Sequence, residues 1–300
     1  MQFRNVSIII PTLHSPMIGE VLQALYRQSS YHAVGEIIVV GLAEAGAVTA
    51  PARLVPTGQP LSAAAARNLG ASLASGDILL FIDSDCIAHP QLVERHLEQH
   101  RAGHSVVGGS IVLETDDAYW RLCDNLLAFT PFLNTMPAGE RPYLPSCNLS
   151  ISRTLFQAVG GFDEQFAGAA GEDIDLSLRL RNRGQRLFFT PAAQVYHRPP
   201  RVTATTVARH LRAFGRIQVI LHQRYASLGR STLPCRLRPW VGVLMAAAPL
   251  LAIFDTVRWY YRYPQLWSYW RCFPGVAWGK SAWYWGYSEM VLTSRRGTEQ

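Results

Sequence analysis

Short apolar runs alternate with helix-like spacing through the first hundred residues of the chain. The segments VSIII (6–10), EIIVV (36–40) and DILLFI (77–82) are bounded by polar or turn residues and predict buried strands. Amphipathic spacing at 19–28 and an alanine-rich stretch at 61–74 predict the helices between them. This alternation predicts an α/β fold, with a mostly parallel sheet and helices on both of its faces.

The pattern continues to about residue 198. A strand is predicted at 105–114, and a strand followed by a glycine-ended helix at 148–162. Residues 171–184 predict a helix with acids in its first turn, arginines in its last and Gly184 as its stop. Two short strands, RLFFT and AQVYH, then lead to His197, and the composition changes at HRPPR (197–201). We therefore predict one domain over residues 1–198 and a different region over residues 199–300.

The second region is basic, aromatic and apolar. An arginine-bearing helix is predicted over 203–225, followed by an uncharged run from Pro239 to Phe254. That run would span roughly 24 Å as a helix, less than the ~30 Å hydrocarbon core of a bilayer. A stretch of mixed cations and aromatic rings at 258–273 is typical of a lipid headgroup boundary. The pattern predicts a helical membrane-associated region, either lying in one leaflet or forming a short hairpin; the alternative is an unusually aromatic soluble helical domain.

Charge is distributed unevenly. Residues 1–175 contain 18 acids and nine arginines, whereas residues 176–300 contain 18 arginines and one lysine against three acids. Seven of the eight tryptophans also lie beyond residue 239. Long aliphatic runs between these aromatic residues favour a membrane surface over nucleic acid as the partner. The N-terminus shows no signal-peptide pattern, and five scattered cysteines without a C-x-x-C pair indicate reduced thiols and no zinc site, so we expect a cytoplasmic location.

Candidate chemistry lies where the predicted strands end. Pro11 and Thr12 follow the first strand, and Asp83-Ser84-Asp85 follows DILLFI; ligands of open parallel sheets bind at such ends. In an extended chain Asp83 and Asp85 point to the same side, about 6–7 Å apart, so their repulsion must be offset. A hard divalent cation, phosphoryl chemistry, or the N-terminus of a following helix would each offset it.

Several segments in order resemble one known family. VSIIIPT, EIIVV, AAARNLGASLASGDILLFIDSDC, SCNLSISRTLFQAVGGFDE, GEDIDLSLRLRNRG and VYH are together similar to the GT-A-fold family 2 glycosyltransferases, over roughly residues 5–198. The resemblance implies a Rossmann-like GT-A domain that uses a nucleotide-diphosphate sugar donor. Members usually carry an acid directly after the second strand, where this chain has Gly41 with Glu44 further on, so the resemblance does not specify the nucleotide.

The resemblance also implies roles for particular residues on the donor side. Asp83 and Asp85 would be the D-x-D motif that binds Mg²⁺ or Mn²⁺ against the diphosphate, and His197 would be a further metal ligand. Arg67 and Asn68 would contact the nucleotide. The alternative for His197 is an ordinary surface histidine after a strand, and the alternative for Arg67 is an exposed helical arginine.

On the acceptor side, the resemblance implies that Glu172 and Asp173 are the catalytic acidic pair. Asp173 would be the base that deprotonates the acceptor hydroxyl, and we expect a carboxylate at a helix N-terminus to stay ionised. Its alternative role is a helix cap, which is compatible with catalysis.

These observations predict an inverting, metal-dependent glycosyltransferase on the cytoplasmic face of the membrane, with a glycan or lipid-linked acceptor and membrane lipid as a partner. A haloacid-dehalogenase-like phosphatase would also use a D-x-D motif after a buried strand. That class needs a lysine or arginine at its site, and its motif follows the first strand. A non-catalytic membrane adaptor on a decayed transferase fold is the third possibility.

Overall fold

A computed structural model describes residues 5–114, 117–166, 171–225 and 240–293 of the chain. The chain forms two compact units: the first comprises residues 1–113 and 131–198, and the second residues 114–130 and 199–300. The sequence prediction assigned all of 1–198 to one domain, whereas residues 114–130 cluster with the second unit. Cys235, one of the five cysteines, and Pro239, the first residue of the uncharged run, lie outside the described residues.

The first unit contains a central sheet and five α-helices among its described residues. Its strands are β1 (Val6–Leu13), β2 (Val34–Leu42), β3 (Arg53–Pro56), β4 (Ile78–Ile82), β5 (Cys86–Ala88), β6 (Val106–Val112), β7 (Gly139–Glu140), β8 (Asn148–Ser152) and β9 (Phe188–His197). Its helices are α1 (Ile18–Tyr26), α2 (Ala63–Leu73), α3 (Leu92–Arg101), α5 (Arg153–Ala158) and α6 (Glu172–Asn182). Helix α4 (Tyr119–Phe129) belongs to the second unit. Short 3₁₀ turns at Tyr31–Ala33 and Thr130–Phe132 complete the element order there.

The strand order is β3-β2-β1-β4-β8-β6-β9-β5, with β7 paired to β9. The predicted α/β class is confirmed, and β3, β2, β1 and β4 are all parallel. The other side of the sheet is mixed, because β8 runs antiparallel to both β4 and β6. Two predicted short strands are in fact the single strand β9, and β3 was not predicted because its four residues lack a buried apolar run.

The hydrophobic core of the first unit lies along the central strands. Ile8, Ile9 and Ile10 of β1 are fully buried, and all five residues of β4 are buried. Strands buried on both faces are continuously apolar rather than alternating, which is why these runs were readable in the sequence. Asp83 and Asp85, which belong to the candidate site described below, come directly after β4 in the chain.

The second unit is helical among its described residues. Its elements are α4, α7 (Ala204–Arg224), α8 (Val241–Arg262), a 3₁₀ segment (Pro264–Cys272) and α9 (Phe273–Thr293). Helices α7 and α9 approach closely at Gly215 and Gly286, where a Cβ atom would lie 2.1 Å and 1.9 Å from backbone carbonyl oxygens. Val219, Val241, Tyr287 and Val291 form a buried cluster that ties α7, α8 and α9 together.

Helix α8 is longer than the sequence predicted. It has 22 residues and continues through the basic and aromatic positions to Arg262, with Pro249 inside it. At 1.5 Å per residue the whole helix is about 33 Å long, whereas the uncharged run for which the sequence predicted roughly 24 Å is only its first part. It is the only helix of the described residues that is long and apolar enough to span a membrane, by length and composition alone.

Candidate active site

The two acids after β4 do not begin a helix. Asp83 and Asp85 are followed at once by β5, and the next helix, α3, starts only at Leu92. The helix-cap alternative for these acids is therefore wrong. Since β4 pairs with β1 on one side and β8 on the other, both carboxylates stand at the middle of the sheet edge.

Arg67 ties two of the acidic motifs together. Its NH2 group donates to Asp83 Oδ1 at 2.5 Å, and its NH1 group donates to Glu172 Oε1 at 3.0 Å. The arginine is 2% exposed, so the alternative of an exposed helical arginine is wrong. Burial opposes its charge, but Asp83 and Glu172 outweigh burial and raise the pKa of Arg67, which keeps the guanidinium charged.

His197 stands beside Asp85 because of strand pairing. It is the last residue of β9, whose antiparallel ladder with β5 sets it opposite Cys86. The amide N–H of Arg198 donates to the carbonyl oxygen of Asp85 at 2.8 Å, which fixes the two chains. The imidazole Nε2 lies 3.6 Å from Asp85 Oδ1, and the histidine is 6% exposed, so it is not a surface histidine.

This neighbourhood suits a hard divalent cation. Asp85, Cys86 and His197 offer ligand atoms within 4.8 Å of one another, the one such group found in the described part of the chain. A carboxylate oxygen and an imidazole nitrogen suit Mn²⁺ and, with more oxygen ligands, Mg²⁺. Burial raises the pKa of the Cys86 thiol well above its usual value, and a thiol is a softer ligand than these ions prefer, so Asp85 and His197 are the better candidate ligands. Asp83, which the sequence also assigned to the metal, has its Oδ1 engaged by Arg67.

Glu172 and Asp173 open helix α6. Gly171 precedes them with φ at 97°, a left-handed conformation that favours glycine. Burial and the neighbouring Glu172 carboxylate raise the pKa of Asp173 to about 7. Burial also raises the pKa of Glu172, against the opposing effect of Arg67. The expectation that the helix N-terminus alone keeps Asp173 ionised thus fails, because burial outweighs the dipole.

The acidic groups converge on one small volume. A hydrogen bond with Cys86 lowers the pKa of the buried Cys147 thiol, but burial and the charges of Asp83, Asp85 and Asp173 raise it overall. Arg67 interacts electrostatically with Asp173 as well as with its two ion-pair partners. The D-x-D motif and the Glu172-Asp173 pair, about 90 residues apart in sequence, therefore form one site.

Buried polar atoms without partners also mark this site. The Oγ1 of Thr12, the Nε of Arg67 and the Oε2 of Glu172 are buried and have no hydrogen-bond partner. An unpaired buried polar group is unfavourable by roughly 1–3 kcal/mol, so such atoms are expected where a ligand or water completes the site. Thr12 lies near the C-terminal end of β1, which pairs in parallel with β4, the strand that leads to Asp83 and Asp85.

The end of β2 explains the departure from the family acid. Strand β2 continues to Leu42, and Gly41 pairs with Thr12 inside the ladder while Pro11 pairs with Val40. A Cβ atom at Gly41 would lie 1.9 Å from the carbonyl oxygen of Thr12, and its φ is +132°. No side chain fits at position 41, so glycine is required there by the backbone.

Asn68 stands beside Arg67 on α2 but supports a turn. Its Nδ2 donates to the carbonyl oxygen of Phe162 and to Glu164, and its Oδ1 accepts from the amide of Phe162, all at 2.9 Å. Both ends of the amide are thus used within the chain. The contact between Asn68 and a nucleotide stays a prediction.

Comparison with known proteins gives a consistent result. The family described as "Glycosyltransferase like family 2" matches residues 55–199. The validoxylamine A glucosyltransferase of Streptomyces hygroscopicus subsp. jinggangensis (strain 5008) is 33% identical over 149 residues, covering 40% of this chain and 35% of that protein. The inactive polypeptide N-acetylgalactosaminyltransferase-like protein 5 of Macaca fascicularis is 28% identical over 163 residues, covering 48% and 37%. This chain therefore spans about a third of the length of these relatives.

The fold is found in a solved structure. GalNAc-T7, crystallised with UDP, GalNAc and Mn²⁺, superposes with a TM-score of 0.53 at 14% identity, covering 70% of this chain and 47% of that one. At this identity the likeness concerns the fold alone, and it confirms the predicted GT-A architecture. The family match, the relatives and the fold together make residues 55–199 of this chain similar to the glycosyltransferase-like family 2.

Proposed function

We propose that the chain is a metal-dependent, inverting glycosyltransferase that moves a sugar from a nucleotide-diphosphate sugar to an acceptor hydroxyl. The observation that supports this most directly is the convergence of Asp85 and His197 with the Arg67-bridged pair of Asp83 and Glu172. The printed names of the relatives, a glucosyltransferase and an N-acetylgalactosaminyltransferase-like protein, support the same reaction class.

Each residue has a chemical task in this proposal. Asp85 and His197 would hold Mg²⁺ or Mn²⁺, which supplies positive charge for the diphosphate leaving group. Arg67 holds Asp83 and Glu172 in fixed positions through its two ion pairs, so the charges around the donor are ordered before it binds. The Cys86 thiol donates a weak hydrogen bond to Asp85 Oδ1 at 4.0 Å, which helps to orient that carboxylate.

Asp173 is the base of the proposed reaction. Its side chain is partly accessible, and its pKa of about 7 is suited to accepting a proton near neutral pH. In an inverting transfer the acceptor oxygen attacks the anomeric carbon while its proton passes to this carboxylate, and the bond from that carbon to the diphosphate oxygen breaks. Glu172 is 4% exposed and forms an ion pair with Arg67, so it is too enclosed to act as the base.

A lipid-linked or membrane-proximal acceptor is proposed from the surface of the second unit. Only 22% of the most apolar window of α8 is buried, so α8 is not the core helix of a soluble bundle. Its exposed positions include Val243, Leu250, Ile253, Phe254 and Val257, which recur at helical spacing and form an apolar face turned to solvent. Such a face fits lipid, and the excess of arginine fits the anionic cytoplasmic leaflet.

Two alternatives from the sequence remain to be compared. The phosphatase alternative has lost its support, since the D-x-D motif follows β4, the fourth strand, and Asp83 is held by Arg67. A non-catalytic role has one specific observation in its favour, namely that a relative carries the word "inactive" in its name. A direct measurement of transfer must decide between catalysis and binding alone.

The test separates donor binding from proton transfer. Asp85→Ala should greatly weaken Mn²⁺-dependent binding of nucleotide, whereas Asp173→Asn should keep that binding and lower turnover by about 10²–10⁴-fold. Calorimetry measures the first and nucleotide release with acceptor the second, across a panel of nucleotide sugars. Glu98→Gln, an exposed acid on α3, is the control and should change neither. If Asp173→Asn keeps normal turnover, the base lies elsewhere; if no nucleotide sugar is consumed by the unmodified chain, the proposed activity fails.

The membrane part has its own test. Leu250→Asn with Phe254→Asn should weaken binding to anionic vesicles at least tenfold, because burial of each apolar side chain contributes roughly 1.5–3 kcal/mol. Truncation after Arg201 is less informative, since it would remove α9, against which α4 packs through Gly275 and Gly279. Unchanged vesicle binding by the double variant would contradict the assignment of α8 to lipid.

A further inference from the structure

A pocket of about 480 Å³ lies in the second unit, against the C-terminal half of α8 and the middle of α9. Its charged lining consists of Arg258 and Arg262 from α8, Lys280 from α9, and Asp255. Three cations thus surround the pocket against a single carboxylate. Lys280 is the only lysine in the chain.

Aromatic rings hold these cations in place. Arg258 and Arg262 are four residues apart and therefore share one helix face. The Arg262 guanidinium lies 5.7 Å from the ring centroid of Tyr263, and the Lys280 Nζ lies 3.9 Å from that of Trp259. The same Nζ donates to the carbonyl oxygen of Asp255 at 2.9 Å, which leaves two of its three donors for another acceptor.

The carboxylate of the pocket is already engaged. Asp255 Oδ2 accepts a short hydrogen bond from the hydroxyl of Tyr284. Within the described ranges, neither Arg258 nor Arg262 forms an ion pair. Like charges held this close raise the electrostatic free energy unless an anion offsets them, so the pocket favours an anionic ligand.

Several other basic groups of the same unit are paired with acids. Arg212 and Arg216 both donate to Glu289, and Arg201 donates to Asp124 at 2.7 Å. Arg209 and Arg271, among the described residues, also have no acid partner, but they do not line the pocket. The pocket is therefore distinguished by the grouping of three cations around one cavity, and this grouping indicates a binding site.

A further donor in the pocket lacks an acceptor. The indole Nε1 of Trp259 is buried and has no hydrogen-bond partner, although most buried indole N–H groups find one. Together with the guanidinium groups and the ammonium of Lys280, it gives the pocket a surplus of donors over acceptors. Phosphate is an acceptor whose oxygens the arginine guanidinium matches in bidentate fashion, as it does those of a carboxylate.

The position of the pocket along α8 indicates the source of that phosphate. The exposed face of α8 is uncharged and apolar from Val243 to Val257, about 21 Å of helix, and then reaches Arg258, Tyr261 and Arg262. Tyr261 is 74% exposed, and the nearby Trp267 and Trp270 are also exposed. Apolar surface followed by cations and aromatic rings matches the order of acyl chains and headgroups in a leaflet.

We propose that this pocket binds the phosphate group of a membrane phospholipid, with Arg258, Arg262 and Lys280 as its donors. The inference rests on the membrane association proposed above and adds to it a specific headgroup site. General attraction between arginine and an anionic surface would not require a pocket and would not distinguish phosphate from carboxylate.

The experiment compares two anionic lipids in a phosphate-free background. The full chain is floated with vesicles of digalactosyl diacylglycerol containing either phosphatidylglycerol or oleate, adjusted to equal surface potential. The unmodified chain should prefer the phosphatidylglycerol vesicles by about tenfold or more, since hydrogen bonds to a charged acceptor are worth at least that factor. Arg258→Gln with Arg262→Gln should abolish the preference. Arg181→Gln with Arg209→Gln, which removes the same charge from exposed positions outside the pocket, should keep it.

Every outcome decides between explanations. Equal binding to both vesicles, or an unchanged preference in the pocket variant, overturns the phosphate site while leaving membrane association intact. Absence of binding to any vesicle overturns the membrane part of the proposed function and the site with it, without touching the transferase activity. If the unmodified chain shows no preference between the vesicles while inorganic phosphate raises its melting temperature, but not that of the double variant, the ligand is free phosphate and the lipid assignment is wrong.

Discussion

Removal of the Arg67 guanidinium should be among the most damaging single changes in the first unit. Arg67 is almost fully buried and is bonded to Asp83 and Glu172 at 2.5 Å and 3.0 Å. At an effective dielectric constant of about 20, each contact contributes roughly 5–7 kcal/mol of Coulomb attraction, most of which offsets the desolvation of the ions. In Arg67→Met that offset disappears while Glu172 stays buried. We expect a loss of about 3–5 kcal/mol in the free energy of unfolding, the usual range for breaking a buried pair.

The same structure predicts how this loss depends on pH. Without Arg67, burial and Asp83 raise the pKa of Glu172 further, so the folded variant takes up a proton that the unfolded chain releases. A raised folded-state pKa gives stability at low pH that is lost as the pH rises through that pKa. The deficit of Arg67→Met should therefore be smaller at pH 5 than at pH 8. Adding Glu172→Gln should recover at least half of the deficit at pH 8.

Urea unfolding followed by circular dichroism at the two pH values measures these differences. Arg95→Met is the matched control, since it removes an arginine that pairs with Glu98 at 2.8 Å on the exposed surface of α3, and its unfolding midpoint should hardly move. A loss below about 1 kcal/mol in Arg67→Met, or an equal loss at both pH values, would refute the view that a buried charge is left uncompensated.

Three further predictions concern the same unit. Gly41→Asp, which restores the usual family acid, should destabilise the fold and not improve nucleotide binding, because its Cβ would lie 1.9 Å from the Thr12 carbonyl oxygen. Thermal unfolding and calorimetry check this, and Gly19→Ala, at a glycine with open space around it and no positive φ, provides the comparison. The kcat/KM of the proposed transfer should fall about tenfold per unit below pH 7, since the pKa of Asp173 is raised to about 7 and the base must be ionised; a flat profile down to pH 5 would assign the base to another group. Burial lowers the pKa of His100 to about 3 and of His96 to about 4, so each contributes stability that is present above its unfolded pKa near 6.5 and lost as the pH falls towards these values. His100→Asn should therefore flatten the acid dependence of the unfolding free energy by about 1.4 kcal/mol per pH unit below 6.5, and an unchanged slope would contradict this.

The chain order of motifs was sufficient to predict the architecture of the first unit. Buried strands such as β1 and β4 are continuous apolar runs, and α2 and α6 have clear stop signals, so local periodicity identifies them. The resemblance to one family added the GT-A topology that periodicity cannot supply. The exposed four-residue β3 was missed because a strand without a buried face has no hydrophobic signature.

Several features of the site depended on tertiary structure. The ion pair between Arg67 and Glu172 joins residues 105 positions apart, and no local pattern specifies such a partner. The proximity of His197 to Asp85 and Cys86 follows from the antiparallel pairing of β5 with β9; the family resemblance implied it, but no local pattern of the sequence did. A pKa depends on burial and on neighbours in space, so the raised value of Asp173 could not be read from its place at a helix N-terminus.

In the second unit, too, some features could be predicted from the sequence and others depended on tertiary structure. Composition alone predicted a basic, aromatic region suited to a membrane, because transfer of side chains to lipid depends chiefly on their type. The extent of α8, the grouping of residues 114–130 with the later helices and the pocket around Lys280 were decided by packing. Sequence thus determined which segments are apolar, helical or acidic, because those are properties of local chain. Only the tertiary structure determined which charges meet, since that depends on contacts between residues far apart in the chain.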